Sequence, residues 1–288
     1  MKVKILVLGM DVHDKTIVTQ AALGQGEPEL RKWRNTPDGR LALIRYMKGK
    51  KAARIVCAFE ASCVGFGLVD ELRDEGIECH VLAPTKIRRS RKDRKAKTDA
   101  KDALHILQVL RNHVFAGDDL PAVWIPDHQT RDDRELVRSR LDTGKKVSAL
   151  KAQIKSLLRR NGLDKPAEIG KAWTISYKEW LLDLCQERRE GLLFGARMAL
   201  LSLLRNLKFL EKEERRQENL IEWLAEEDRY RPASRALRDM PGIGLLSAMV
   251  FLTEMGDSRR FRNRRKVAAY LGLIPMVFES GEDDDHKG

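Results

Sequence analysis

The chain has few of the residues that staple or ligate small folds. Its 288 residues include four cysteines, Cys57, Cys63, Cys79 and Cys185, with no Cys-x-x-Cys pair and no metal-ligand spacing. That excludes a disulfide framework and a zinc knuckle, and the four read as reduced core thiols. Long apolar runs are also missing: no stretch reaches the ~18 uncharged apolar residues that a membrane-spanning helix needs. The apolar run Ile5 to Met10 is too short for a secretory leader and meets Asp11 at once, so a cytoplasmic location is expected. Aromatic residues make up only 6%, too little for a platform on which bases stack. Acidic residues are in deficit as well. Fifty-five Lys and Arg stand against 43 Asp and Glu, a formal net charge of +12, the footprint of a protein that meets a polyanion through its backbone phosphates.

What is present describes a folded chain: 42% of residues are apolar and 34% charged. Two β-runs, Ile5 to Leu8 and Thr16 to Ala22, flank a polar turn at His13 to Lys15 and predict a hairpin. Leu41, Ile44 and Met47 follow at helical spacing, and then comes the short β-branched run "ARIVCAF". "GFGLVDELRDEG" reads as a helix stopped at Gly76, and "IECHVLAP" as a strand closed by Pro84. A basic connection leads into the helix "DAKDALHILQVLRN". Hairpin, helix, strand, helix, strand, helix is an α/β order with a sheet flanked by helices. An RNase H-like fold has this order, and pattern alone ranks it beside other three-layer arrangements.

The remainder reads as helical. From Thr130 to Asn161, Val137, Leu141, Val147, Leu150, Ile154 and Leu157 mark a long basic amphipathic helix. A second is expected over 192–225, with Leu200, Leu203, Leu204, Leu207, Leu220, Ile221 and Leu224 as its stripe, interrupted by the charged patch Glu211 to Glu218. The two suggest a coiled-coil-like pair or a plain bundle. Beyond Pro232, "MPGIGLLSAM" has a Gly-Ile-Gly turn entering an apolar helix, a helix-hairpin-helix-like pattern. The expected domains are therefore 1–125, a catalytic α/β domain; 126–231, a helical region; and 232–288, a small α-helical domain.

Chemistry concentrates in "KTDAKDA". Nine of the sixteen residues from Lys86 to Lys101 are Lys or Arg, yet Asp99 and Asp102 lie three apart on one helical face. Taken alone, the pair is explained by local salt bridges and by Asp99 capping the helix. Asp11 and Glu60, however, fall at the ends of two strands that an RNase H-like sheet would set side by side. Four carboxylates at one point are costly unless divalent cations neutralise them, and hard ions such as Mg²⁺ take oxygen ligands. Two ions about 4 Å apart are a common device for cutting phosphate esters. Candidate phosphate contacts are Arg88, Arg89, Arg91, Lys92, Arg94, Arg138, Arg140, Arg262 and Arg264.

"GMDVHDKT", "FEAS" and "KTDAKDA", in that order, resemble the Asp-Glu-Asp-Asp signature of the DEDD transposases of the bacterial insertion-sequence family one-ten, which have a RuvC-like, RNase H-like domain. "MPGIGLLSAMVFLTEMGD", "RFRNRRKVAAYLGLIP" and "ESG" are similar to that family's C-terminal transposase domain. The resemblance implies that Asp11, Glu60, Asp99 and Asp102 bind Mg²⁺, two ions in all, and that Ser280 is a nucleophile that attacks a DNA phosphate. It further implies donor and target DNA, a structured noncoding guide RNA and a homo-oligomer as partners. Family members continue past this serine with a basic stretch and further helices, so the resemblance also implies a C-terminally shortened chain.

Two other readings share some of these features. A metal-dependent resolvase or nuclease would use the four acids and water and leave no covalent adduct. A non-catalytic nucleic-acid-binding remnant would keep RNA binding without metal-dependent cleavage. His128 to Arg131 also has the His-x-x-Arg spacing of tyrosine recombinases, although a helix start explains it better.

Overall fold

The computed structural model describes residues 4–86, 98–186 and 191–273, together with the two-residue strands at 277–278 and 286–287. The chain divides into two compact units, Met1–Ile125 and Pro126–Gly288.

In the first unit, β1 (Ile5–Val12), β2 (Thr16–Leu23), β3 (Glu29–Arg34), β4 (Arg54–Glu60) and β5 (Glu78–Leu82) form one mixed sheet in the order β3-β2-β1-β4-β5. β2 runs antiparallel to both β1 and β3, while β4 runs parallel to β1 and β5 to β4. β1 lies at the centre and must be covered on both faces, which is why ILVLGMDV is nearly continuous in apolar residues rather than alternating. Leu6, Leu8, Met10 and Val12 join Phe59 beneath α1 (Pro37–Gly49) and α2 (Gly67–Asp74). Val7, Val56, Ala58 and Leu82 face the other way, against Ile106, Leu107 and Leu110 of α3 (Asp99–Arg111). Each such buried side chain contributes roughly 1.5–3 kcal/mol.

Helix α3 crosses β1 at Gly9. A Cβ there would lie 2.1 Å from the carbonyl oxygen of Ala103 and 2.2 Å from the amide nitrogen of Leu107. Both are backbone atoms that cannot swing aside, so glycine is required for this approach. Both ends of the helix are tied down. Gln20 Nε2 donates to Ala100 O at 3.4 Å, and Arg111 donates to Gly24 O at 3.1 Å and to Gly26 O.

Two features depart from the sequence reading. β1 and β4 run further than expected, so Asp11 and Glu60 belong to their strands instead of following them. Strand β3 was not anticipated at all, because ELRKWR is largely charged and has no period-two apolar signal. It is an edge strand held by Glu29, whose carboxylate accepts from Lys50 Nζ at 2.7 Å, Tyr46 OH at 2.8 Å and Arg31 Nε at 2.6 Å. These bonds, that of Lys50 above all, lower its pKa to about 2.

The second unit is helical: α4 (His128–Arg160), α5 (Ile175–Asp183), α6 (Phe194–Ala225), α7 (Arg231–Arg238), α8 (Leu245–Met255) and α9 (Arg264–Tyr270). Asp127 caps α4, its carboxylate accepting from Thr130 N at 2.8 Å, so His128 to Arg131 is a helix start. α4 and α6 lie antiparallel. Val137 clusters with Ile221 and Leu224 near one end, Ile154 and Leu157 with Leu200 and Leu204 near the other. Where Glu211 to Glu218 interrupts the apolar stripe, α4 supplies cations: Arg140 Nη2 sits 2.8 Å from Glu214 and 2.5 Å from Glu218, and Lys151 Nζ sits 3.4 Å from Glu211. α5 packs at one end of the pair through Trp180 and Leu181, and α8 at the other through Met249. Gly242, in the turn between α7 and α8, takes φ +87°, a conformation that suits glycine. Among the described residues no helix is long and apolar enough to cross a membrane.

Gly9→Ala should force α3 off the sheet. We expect a loss of about 2–3 kcal/mol and a thermal midpoint lower by roughly 5–10 °C, measured by calorimetry. An unchanged midpoint would show that the helix does not depend on this contact.

Candidate metal centre

Side chains alternate along a strand, so Asp11 shares the α3-facing side of β1 with Val7 and Gly9, and Glu60 shares that side of β4 with Val56 and Ala58. Met10 is paired with Phe59, which sets Asp11 and Glu60 one step beyond the last parallel pair, on strands roughly 4.8 Å apart. The first turn of α3 comes down at this end of the sheet. Its cap is Thr98, whose hydroxyl accepts from Lys101 N at 3.4 Å. This corrects the simpler expectation that Asp99 serves as the cap. Asp99 and Asp102 both lie in the first turn of α3; Asp102 is buried, while the Asp99 side chain is 49% exposed.

His13 completes the arrangement. Its backbone is pinned on the β1–β2 turn, because its N–H donates to Thr16 O at 2.8 Å and its carbonyl accepts from Asn35 Nδ2 at 2.8 Å. Its Nε2 lies 3.1 Å from Asp11 Oδ2 and 3.7 Å from Asp99 Oδ1. One ligand atom from each of Asp11, His13 and Asp99 falls within 4.8 Å of the others. Sequence reasoning took His13 for a turn residue. The Asp-x-His spacing at a strand end, which aims both side chains to one side, was the available signal.

Burial pushes the Asp11 carboxyl above its ordinary range; His13 pulls it back, and the charges of Asp99 and Asp102 push it up again. Glu60 and Asp102 are outside the three-residue group, and each is engaged in an interaction. Two carboxylates and an imidazole at this separation, with a third carboxylate adding to the negative field, suit a divalent cation. The oxygens favour Mg²⁺, and the nitrogen is well tolerated by Mn²⁺ or Zn²⁺.

The candidate phosphate contacts fare differently. Arg140 is buried and bonded to Glu214 and Glu218 inside the helix pair, so it is removed from that set. Arg138 is half exposed and lies 2.8 Å from Glu254. Arg262 and Arg264 are exposed. Arg88, Arg89, Arg91, Lys92, Arg94 and Ser280 lie outside the described residues.

Comparison with known proteins places the chain among transposases of insertion sequences. The DEDD transposase family model of IS110 elements matches residues 8–161, and a model described as the transposase IS116/IS110/IS902 family matches residues 234–288. The putative transposase y4qE of Sinorhizobium fredii (strain NBRC 101917 / NGR234) is 30% identical over 284 residues, covering 98% of this chain and 66% of its own length. The transposase for insertion sequence element IS1533 of Leptospira borgpetersenii is 31% identical over 279 residues, covering 93% of this chain and 74% of its own length. The chain thus spans about two thirds to three quarters of these relatives. Among solved structures, T. thermophilus RuvC in complex with Holliday junction substrate shows a slight likeness, with a TM-score of 0.29 and 9% identity over 41% of this chain and 99% of that one.

Asp11→Asn removes one anion from the crowded end and should stabilise the metal-free protein at neutral pH by about 1 kcal/mol. Because the folded state raises the Asp11 pKa, it binds this proton more tightly than the unfolded chain does. The penalty is therefore absent at low pH and grows as pH rises through the raised value, so the variant's advantage should vanish on acidification. Denaturant titrations in EDTA at several pH values would check this, and a variant less stable than the parent at neutral pH would contradict it.

Proposed function

The chain belongs to the IS116/IS110/IS902 transposase family, and on that premise we propose that it cuts and joins DNA strands as the transposase of an insertion sequence, through an RNase H-like first unit. The observation that carries this reading is the convergence of Asp11, Asp99 and His13 at one end of the sheet.

In this reading Asp11 and Asp99 hold a divalent cation, Mg²⁺ in the family's pattern, with His13 as a nitrogen donor. Asp102 and Glu60 complete a set able to take a second ion. The bound ion supplies Lewis acidity toward a phosphate oxygen and lowers the pKa of a nearby hydroxyl. The chain's own groups do the rest. The carboxylates fix where the phosphate comes to lie, and the +12 net charge draws the backbone in. Ser280 provides the hydroxyl oxygen that attacks phosphorus, forming a phosphoserine bond as the DNA oxygen departs; a serine needs such activation because its hydroxyl is otherwise a weak nucleophile. The family resemblance supports the remaining assignments: donor and target DNA as substrates, a structured noncoding RNA that selects them, and assembly as a homo-oligomer. Arg138, Arg262 and Arg264 remain candidates for backbone contacts, together with the basic run around Arg88, Arg89, Arg91, Lys92 and Arg94.

Incubation with the element's RNA, paired DNA substrates and Mg²⁺ should yield a protein–DNA adduct that survives denaturation. Ser280→Ala should form none, and Asp11→Ala or Asp99→Ala should lower its rate by roughly 10²- to 10³-fold. An Asp11→Ala variant that still forms the adduct at the parent rate would refute the role of the acids. Cleavage that persists in the serine variant without an adduct would favour hydrolysis by water.

A further inference from the structure

Edge strand β3, which the sequence did not reveal, places two cations beside the acids. Asp11 is paired with Val18 on β2, and Val18 with Lys32 on β3. Residues directly opposite in an antiparallel ladder share a face, so Lys32 lies in one row with Asp11, two strand spacings or roughly 10 Å away. Thr16 is paired with Arg34, which puts Arg34 on that same face one pleat nearer the turn that carries His13. Both residues are exposed. Arg31, just before Lys32 in sequence, belongs to the opposite face, where it bonds Glu29 and stacks over Tyr46 with its guanidinium carbon 4.6 Å from the ring centre.

Between this row and the start of α3 there is an open cleft of about 700 Å³ lined by Val18, Leu30, Arg31, Lys32, Thr98, Asp99 and Ala100. Val18 and Leu30 give it an apolar floor. Lys32 stands on its β3 side with Arg34 next along the same row, and its one acid, Asp99, belongs to the candidate metal centre. An open cleft with an apolar floor, cations on its β3 side and the candidate metal centre at its end suits a strand whose phosphates are evenly spaced and whose sugars are apolar.

We propose that this cleft holds the DNA strand being cut, with Lys32 and Arg34 binding the phosphates next to the one held at Asp11 and Asp99. The proposal rests on the reading of Asp11 and Asp99 as a metal centre that acts on DNA. Charged residues on an edge strand can also serve only to block sheet extension, and the experiment separates the two roles.

Binding of a fluorescent single-stranded DNA oligonucleotide would be measured over a range of salt concentrations for the parent, for Lys32→Ser/Arg34→Ser, and for Arg45→Ser/Lys48→Ser, which removes the same charge from α1 on the other side of the sheet. Each lost single-strand phosphate contact should flatten the slope of log K against log salt by about 0.7, so the β3 variant should lose about 1.4 and the α1 variant far less. Thermal midpoints with and without Mn²⁺ would be recorded for all three. Mn²⁺ should raise the midpoint in each, since none of these substitutions touches a ligand. A parent-like slope in the β3 variant with Mn²⁺ stabilisation intact would overturn the cleft while leaving the metal centre standing. Equal losses in both variants would reduce the effect to overall charge and also overturn it. No Mn²⁺ stabilisation in the parent would remove the metal centre and the proposal together.

Discussion

The approach of α3 to Gly9 is the contact on which the rest of the first unit depends. A side chain of any size at that position would collide with the helix backbone at Ala103 and Leu107. Because the helix lies so close to the central strand, its first turn arrives beside Asp11, and Thr98 satisfies an amide there that Asp99 would otherwise have been needed to cap. Close packing on one side of the sheet thereby fixes the separation of charges at its end. The core beneath Ile106, Leu107 and Leu110 supplies the free energy, and burial of the Asp11 carboxylate, with a smaller push from Asp99 and Asp102, raises its pKa and takes a little of it back. A partly buried carboxylate held beside other acids is the kind of perturbed group that functional sites collect.

The second unit solves a different problem with the same economy of parts. Two long helices carry more Arg and Lys than a plain apolar seam would accommodate, and the break in the α6 stripe is filled by Arg140 and Lys151 bonding Glu211, Glu214 and Glu218. Ion pairs of this kind, with Arg140 buried and the glutamates partly exposed, add little net stability.

Much of this was legible in the sequence wherever a single physical signal dominated. Period-two and continuous apolar runs located β1, β2, β4 and β5; helical spacing located α1, α3, α4 and α6; and the carboxylates stood out against a basic background. The signal failed where tertiary contacts replaced it. β3 is held through Glu29, Tyr46 and Lys50 and by its ladder with β2, none of which shows in ELRKWR. Arg140 reads as a surface cation until α6 is laid beside it, and the helical spacing of α5 was too short to be noticed between two long helices. His13 was undervalued because its partners, Asp99 and Asn35, come from other elements.

The most direct measurement is the anomalous scattering of a crystal grown or soaked with Mn²⁺. The account predicts a peak at bonding distance from carboxylate oxygens of both Asp11 and Asp99. A peak bound to only one of them, or none at saturating Mn²⁺, would contradict it.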